Sequence, residues 1–254
     1  MTTEARFTST AHACARFVAQ RLLLKPLVWS LTRVTVHGRD HLQAVEGTFI
    51  VVANHSSHLD APLVVGALPR RLSRYLAAGV AADYFFDVPW RRWFAALFFN
   101  AYPVDRSGDR RRSGMSKELL TSGVPLLLFP EGGRSSTGRL GTFKPGAAAL
   151  ASSQQIPCVP VVVVGSHEAM PKGRNWPIPG RPRVDVVFGE PMRPRPGETP
   201  VQLTERIVAQ VIALRASIEP KPPVMWDARS QRAQTTEDHP QQDDLRGTRR
   251  EETG

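Results

Sequence analysis

The chain has 254 residues, 41% of them apolar, with two cysteines; this excludes a chain disordered throughout and a disulfide-built scaffold, and the length suits one large α/β domain better than two small ones. The net charge is +10: residues 1–219 hold 27 Lys/Arg against 16 Asp/Glu, or +11, and residues 220–254 contribute −1. A basic globular part of this kind attracts phosphate-bearing partners, either nucleic acid or an anionic membrane surface.

Cys14 and Cys158 fall in apolar contexts without metal spacing and read as reduced, structural thiols, consistent with a cytosolic location. The longest apolar candidate, Cys14 to Val36, is broken by Arg16, Arg21, Lys25 and Arg33, which argues against a transmembrane helix of about eighteen apolar residues. The N-terminal region has no clean signal-peptide core or cleavage site.

Residues 10–30 read as one or two amphipathic helices, kinked or divided at Pro26. Phe17, Val18, Leu22, Leu23, Leu24, Leu27, Val28 and Trp29 form the apolar side, and Arg16, Arg21 and Lys25 the basic one. Such a helix suits a membrane interface; ordinary packing on a core is the competing reading. Val34–Val36 and Phe49–Ala53 read as strands, and 61–72 as a helix ending in Arg70 and Arg71. Tyr84 to Tyr102 is dense in aromatics and interrupted by Arg91–Arg92, a mixture that marks membrane–water interfaces; a buried aromatic helix is the alternative. A short strand ends at Val104–Asp105–Arg106, and a basic-starting helix spans 110–122. Val124–Phe129, Val159–Val164 and Val184–Phe188 read as further strands, with helices over 145–155 and 200–216. Apolar strands alternating with helices predict an α/β fold: a mostly parallel or mixed central sheet flanked by helices, with an amphipathic segment before it. The expected organisation is 1–36 for the amphipathic helices, 37–219 for the globular domain and 220–254 for a disordered polar tail.

Two polar motifs stand at the carboxyl ends of strands, where such sheets bind ligands. In Phe49 to Pro62 an apolar run stops at Asn54–His55, and Asp60 follows five positions after His55. On a straight helix that separation is roughly 140° around the axis, so the side chains can meet only across a turn. Pro62 and Ser56/Ser57 fit a strand-to-helix turn with a serine N-cap. A histidine held by a carboxylate is a general base; a surface histidine in a polar loop is the bland reading. The second motif, Glu131–Gly132–Gly133–Arg134, follows a buried strand. Its glycines suit close approach to an anion, and Arg134 can grip a phosphate bidentately. Arg106 is a second phosphate candidate, whereas the Arg110–Arg112 run reads as a solvated face.

These motifs resemble the glycerophospholipid acyltransferases, in particular the bacterial 1-acylglycerol-3-phosphate acyltransferases. His55 to Asp60 matches that family's H-x4-D motif, and Val104–Arg106 looks like its second block. Phe129–Ser135 looks like its FPEGTRS block, and Ile156–Val162, with Pro157 and Pro160, like its fourth. The order and separations agree over about residues 30–215. The resemblance implies a glycerol-3-phosphate acyltransferase-like fold and direct acyl transfer without cofactor or metal. His55 would deprotonate the free hydroxyl of a lysophospholipid, which attacks the thioester of acyl-CoA or acyl-ACP. Asp60 would orient His55. Arg106, Gly132, Gly133 and Arg134 would hold the acceptor phosphate, with Glu131 positioning Arg134 or the headgroup. It also implies a peripheral or monotopic enzyme on the cytoplasmic face of an anionic membrane, with a helical platform and no nucleic-acid partner. Two departures stand out: Gly133 replaces the family's usual threonine, and Ala81–Tyr84 lacks the lysine often found ahead of the second block.

Two other classes compete. His55, His58 and Asp60 superficially resemble metallohydrolase ligands, but no second clustered motif supplies the rest. A basic, non-catalytic membrane- or nucleic-acid-binding module explains the arginines but leaves the His55/Asp60 pair without a role. His58 itself reads as pointing away or packing locally, outside the catalytic set.

Overall fold

The computed structural model describes residues 5–81, 89–104 and 110–218. Asp105, Arg106 and the polar tail from 219 onward lie outside these residues.

Seven strands form one sheet in the order β1-β7-β6-β2-β5-β3-β4. They are β1 (Arg33–His37), β2 (Ile50–Ala53), β3 (Ala77–Ala81), β4 (Tyr102–Val104), β5 (Leu126–Leu128), β6 (Cys158–Val164) and β7 (Arg183–Phe188). All neighbouring pairs are parallel except β6 with β7. The sheet is therefore mixed, as the continuous valine runs imply for strands covered on both faces.

The period of two along β2 divides the core. Val51 and Ala53 enter one apolar cluster with Leu63, Val64 and Val161, and Ile50 and Val52 enter the other with Leu126, Ile207 and Val211. Each fully buried aliphatic side chain contributes about 1.5–3 kcal/mol to folding. The first face is covered by α3 (Lys25–Leu31) and α4 (Asp60–Ala67). The second is covered by α7 (Arg110–Thr121), α8 (Gly146–Gln154) and α10 (Pro200–Ile218).

The expected helix over 61–72 is two helices. α4 ends at Ala67 and α5 spans Arg70–Ser73. Leu68 turns extended, with ψ 142°, because Pro69 follows it and disfavours the helical region for the residue before it. β3, at 77–81, was not expected from its Ala-Ala-Gly-Val-Ala sequence.

The N-terminal segment runs through α1 (Ala5–Thr8), α2 (Thr10–Phe17), a π-helical stretch (Val18–Leu24) and α3. Pro26 sits in the first turn of α3, directly after the π-helical stretch, where its missing N–H interrupts the helical hydrogen bonding. The segment is amphipathic as its composition implies, and the structure sets which side faces inward: Val28 packs on the core, while Val18, Leu22, Leu23 and Leu27 do not. The basic side faces the protein. Arg21 donates to the carbonyls of Gly66 (3.0 Å) and Leu68 (2.6 Å) and to Ser73 Oγ (3.1 Å), capping the C-terminal end of α4. Arg16 is 4% exposed and donates to Asn100 Oδ1 (3.1 Å), just beyond α6 (Pro89–Phe99), and Gln20 donates to the Phe98 carbonyl (2.6 Å). Burial, and then the nearby Arg6, pushes the Arg16 guanidinium down to about 10. Helix C-termini carry partial negative charge and free carbonyls, so they accept these groups. The outward side is uncharged: Val18, Leu22, Leu23 and Leu27 are exposed, and so is Cys14, which the sequence reading had placed among structural thiols. Cys158 is buried, and burial pushes its thiol up to about 12.

The aromatic segment places Trp93 and Phe94 at the surface on α6, at 68% and 39% exposure. Phe94 packs on Phe98 with ring centroids 4.4 Å apart. The side chains of Trp90, Arg91 and Arg92 lie outside the described residues. Among the described residues no helix is long and apolar enough to cross a membrane.

Candidate active site

β2 and β5 are neighbours in the sheet, so the residues that leave their carboxyl ends arrive side by side. Asn54 ends β2 by imitating a further ladder residue. Its buried amide donates to the Val163 carbonyl (3.0 Å) and accepts from the Val163 N–H (2.7 Å). This fixes the point from which His55 departs.

His55 lies outside α4 and Asp60 on its first turn, so the turn brings them together as the spacing required. His55 Nδ1 lies 2.8 Å from Asp60 Oδ2. The expected serine N-cap is absent: the cap position is Leu59 with no side-chain bond. The carboxylate of Asp60 folds back instead, accepting the N–H groups of Ser56 (2.7 Å) and Ser57 (2.8 Å) on Oδ2. Its other oxygen accepts from Ser166 Oγ at 2.5 Å. Asp60 is 0% exposed and receives three donors on Oδ2 and one on Oδ1, which is how a buried carboxylate remains tolerable.

Ser166 belongs to a short helix, α9 (Ser166–Ala169), that sequence reasoning missed. The signal available was Gly165, which has φ 84° and whose added Cβ would lie 2.3 Å from the Arg183 carbonyl. A glycine forced at the end of a buried valine strand marks a sharp turn that delivers the next side chain back to the site. Ser166 Oγ also lies 3.0 Å from Ser56 Oγ, and Ser57 Oγ donates to the Met170 carbonyl (2.8 Å), so α9 and the 54–59 turn are tied twice.

The second motif secures the histidine from the other side. Glu131 Oε1 accepts the His55 N–H (2.6 Å) and Oε2 the Gly141 N–H (2.8 Å). The Ser135 N–H donates to the His55 carbonyl (2.8 Å). Both backbone polar groups of His55 are thus bound by the 131–135 loop. The carboxylate of Glu131 is engaged with backbone donors, which differs from its expected place on Arg134 or a headgroup. Burial raises its pKa, and the two N–H bonds oppose that shift. The imidazole lies against the Phe129 ring, centroids 4.2 Å apart and planes 22° apart, so its plane is fixed as well as its edge.

Gly132 has φ 72° and needs glycine; Lys144 Nζ is the nearest atom to an added Cβ, at 3.3 Å. Lys144 therefore brings a cation to the loop that the motif reading did not include. Gly133 has open space around an added Cβ, so nothing in the packing forbids the threonine expected there. Arg134 is half-buried, and its charge reaches His58. Burial first, then Arg134 and His55, push His58 down to about 4, against an opposing pull from Asp60. His58 is thus a neutral neighbour of the site. Among the described residues no three His, Cys, Asp or Glu side chains are grouped to hold a metal ion.

With Nδ1 bonded to Asp60, Nε2 is the nitrogen able to take a proton. The side chain of His55 is 20% exposed, so a substrate hydroxyl can reach it. The arrangement is that of a base oriented by an acid, beside a glycine-rich loop carrying Arg134 and Lys144.

Comparison with known proteins bears on the family and the fold. The chain is 29% identical over 168 residues to the chloroplastic 1-acyl-sn-glycerol-3-phosphate acyltransferase LPAT1 of Arabidopsis thaliana, covering 65% of this chain and 45% of that protein. It is 31% identical over 172 residues to the 1-acyl-sn-glycerol-3-phosphate acyltransferase alpha of Mus musculus, covering 61% and 54%. The chain thus spans about half the length of these curated relatives. The crystal structure of the 1-acyl-sn-glycerophosphate acyltransferase PlsC from Thermotoga maritima has the same fold, with TM-score 0.65, 24% identity, and coverage of 85% of this chain and 87% of that one. Residues 33–164, more than half of the sequence and including both polar motifs, match the acyltransferase family model, and the chain belongs to that family.

Proposed function

We propose that the chain transfers a fatty acyl group from the thioester of acyl-CoA or acyl-ACP to the free hydroxyl of a lysophospholipid, first of all 1-acylglycerol-3-phosphate. The observation that carries this reading is the imidazole of His55, fixed at Nδ1 by a buried Asp60 and open at Nε2. The acceptor hydroxyl gives its proton to Nε2 as its oxygen attacks the thioester carbonyl. The tetrahedral intermediate then expels the thiolate, which recovers the proton from His55. Asp60 stabilises the imidazolium between the two steps. No acyl-enzyme is required. Arg134 and Lys144 supply the positive charge for the acceptor phosphate, and Arg106 is a further candidate from the sequence.

The reading places the enzyme at a membrane surface, because its acceptor and product are lipids. The uncharged outer side of the N-terminal helix, with Leu22 61% and Leu23 59% exposed, supports this, as does Trp93.

The test is thiol release from acyl-CoA by purified protein in detergent, with and without 1-acylglycerol-3-phosphate, beside His55→Ala. Acceptor-dependent release lost in the variant is the expected result. Release without acceptor would replace the reading with a thioesterase, and release with a different lysolipid would reassign the acceptor.

A further inference from the structure

The loop between α9 and β7, residues 171–182, has the sequence PKGRNWPIPGRP. It contains Lys172, Arg174 and Arg181 and no acidic residue. All three cations are exposed, and among the described residues none has a carboxylate partner. The nearest acids in sequence are Glu168, exposed on α9, and Asp185, which is bonded to Arg183 and His37. Trp176 stands at the middle of the loop and is 64% exposed. An exposed indole flanked by unpaired cations is unusual for a surface meant to face water alone.

The loop is anchored. The Arg174 N–H donates to the Pro171 carbonyl (3.1 Å), the Ile178 N–H to Ala169 (2.8 Å), and the Arg33 N–H to Pro182 (2.9 Å). Four prolines lower its freedom before any partner arrives. Its position is equally defined. It leaves Met170, whose carbonyl holds Ser57, and it follows the helix whose Ser166 holds Asp60. At its far end Arg181 donates to the Trp29 carbonyl on α3 (3.1 Å), the helix whose outer side carries Leu27. The loop therefore connects the active-site end of the sheet to the uncharged outer side of the N-terminal helices.

We propose that loop 171–182 is a docking element for an anionic phospholipid surface. Trp176 enters the headgroup layer, Lys172 and Arg174 pair with lipid phosphates, and the loop holds the catalytic end of the sheet against the bilayer. Charge complementarity selects the partner: cations without acids seek phosphate, and an indole with prolines and Ile178 beside it seeks the interfacial layer. In its orientation of the site, this rests on the lysophospholipid reading above. Vesicle binding needs no turnover, so the two fail separately.

The experiment is co-sedimentation of the full chain with phosphatidylcholine vesicles and with vesicles that also contain phosphatidylglycerol. The variants are Lys172→Gln/Arg174→Gln and Trp176→Ala, each checked for unchanged thermal unfolding. Each cation at an anionic surface strengthens binding about fivefold, so the double variant should bind the anionic vesicles roughly thirtyfold more weakly and the neutral ones unchanged. Trp176→Ala should weaken both. High salt should erase the effect of the double variant. Should Trp176→Ala unfold, the glutamine pair carries the test alone. Wild-type affinity in the double variant overturns the proposal, as does equal loss on both lipids, or a wild type indifferent to phosphatidylglycerol.

Discussion

Arg21 separates two views of the N-terminal helix. If the basic side faced lipid headgroups, Arg21→Met would weaken binding to anionic vesicles and leave folding untouched. The structure predicts the reverse. The guanidinium makes three hydrogen bonds, to Gly66, Leu68 and Ser73, and methionine keeps the apolar stem while removing all three. A hydrogen bond from a charged donor contributes about 1.5–3 kcal/mol. Against that stands the cost of holding the charge there: burial, and then Arg39 and Arg70, push the Arg21 pKa down. The net expectation is a loss of about 2–4 kcal/mol, which for a domain of this size lowers Tm by roughly 5–15 °C. Differential scanning calorimetry in detergent reads the stability, and vesicle co-sedimentation reads the binding. An unchanged Tm together with weakened anionic-vesicle binding would refute the inward orientation.

Ser166→Ala removes the donor on Asp60 Oδ1, worth about 1.5–3 kcal/mol, so kcat should fall about ten- to a hundredfold with little change in KM; an unchanged kcat would remove Ser166 from the positioning of the dyad. Glu131→Ala leaves the His55 and Gly141 N–H groups without their acceptor, and kcat should fall about tenfold or more; a change confined to the acceptor KM would place the carboxylate on the headgroup instead. His58 should stay neutral in NMR titrations until about pH 4, and a midpoint near the ordinary histidine value would contradict its burial beside Arg134. Because its folded pKa lies below the unfolded one, the stability it contributes is present above about pH 6.5 and is lost as pH falls toward 4.

The central sheet was legible because its main strands are written as apolar runs, of valine in β2, β6 and β7 and of leucine in β5, and the site because both motifs end such runs. What escaped depends on contacts between distant parts of the chain. β3 is alanine- and glycine-rich and has little β propensity of its own; it becomes a strand between β5 and β4. α9 is four residues long, too short for any periodicity, yet it carries the Ser166 that completes the shell of Asp60. The family resemblance gave Glu131 the positioning of Arg134 or the headgroup; its partners in the structure are backbone N–H groups that no side-chain pattern records. The N-terminal helix shows most plainly what periodicity leaves undecided. A pattern reveals that two sides differ but not which one faces inward, and arginine faces inward here because the end of α4 offers Arg21 two carbonyls and Asn100, beyond α6, offers Arg16 its amide oxygen.

That inward orientation bears on how a detergent-free form of this protein should be sought. Cutting the chain ahead of β1 would discard the greasy surface together with Arg16, Gln20 and Arg21, and α4, which carries Asp60, would lose the cap at its other end. Polar replacement of Leu22, Leu23 and Leu27 in the intact chain changes the surface that meets water and leaves every one of those bonds in place.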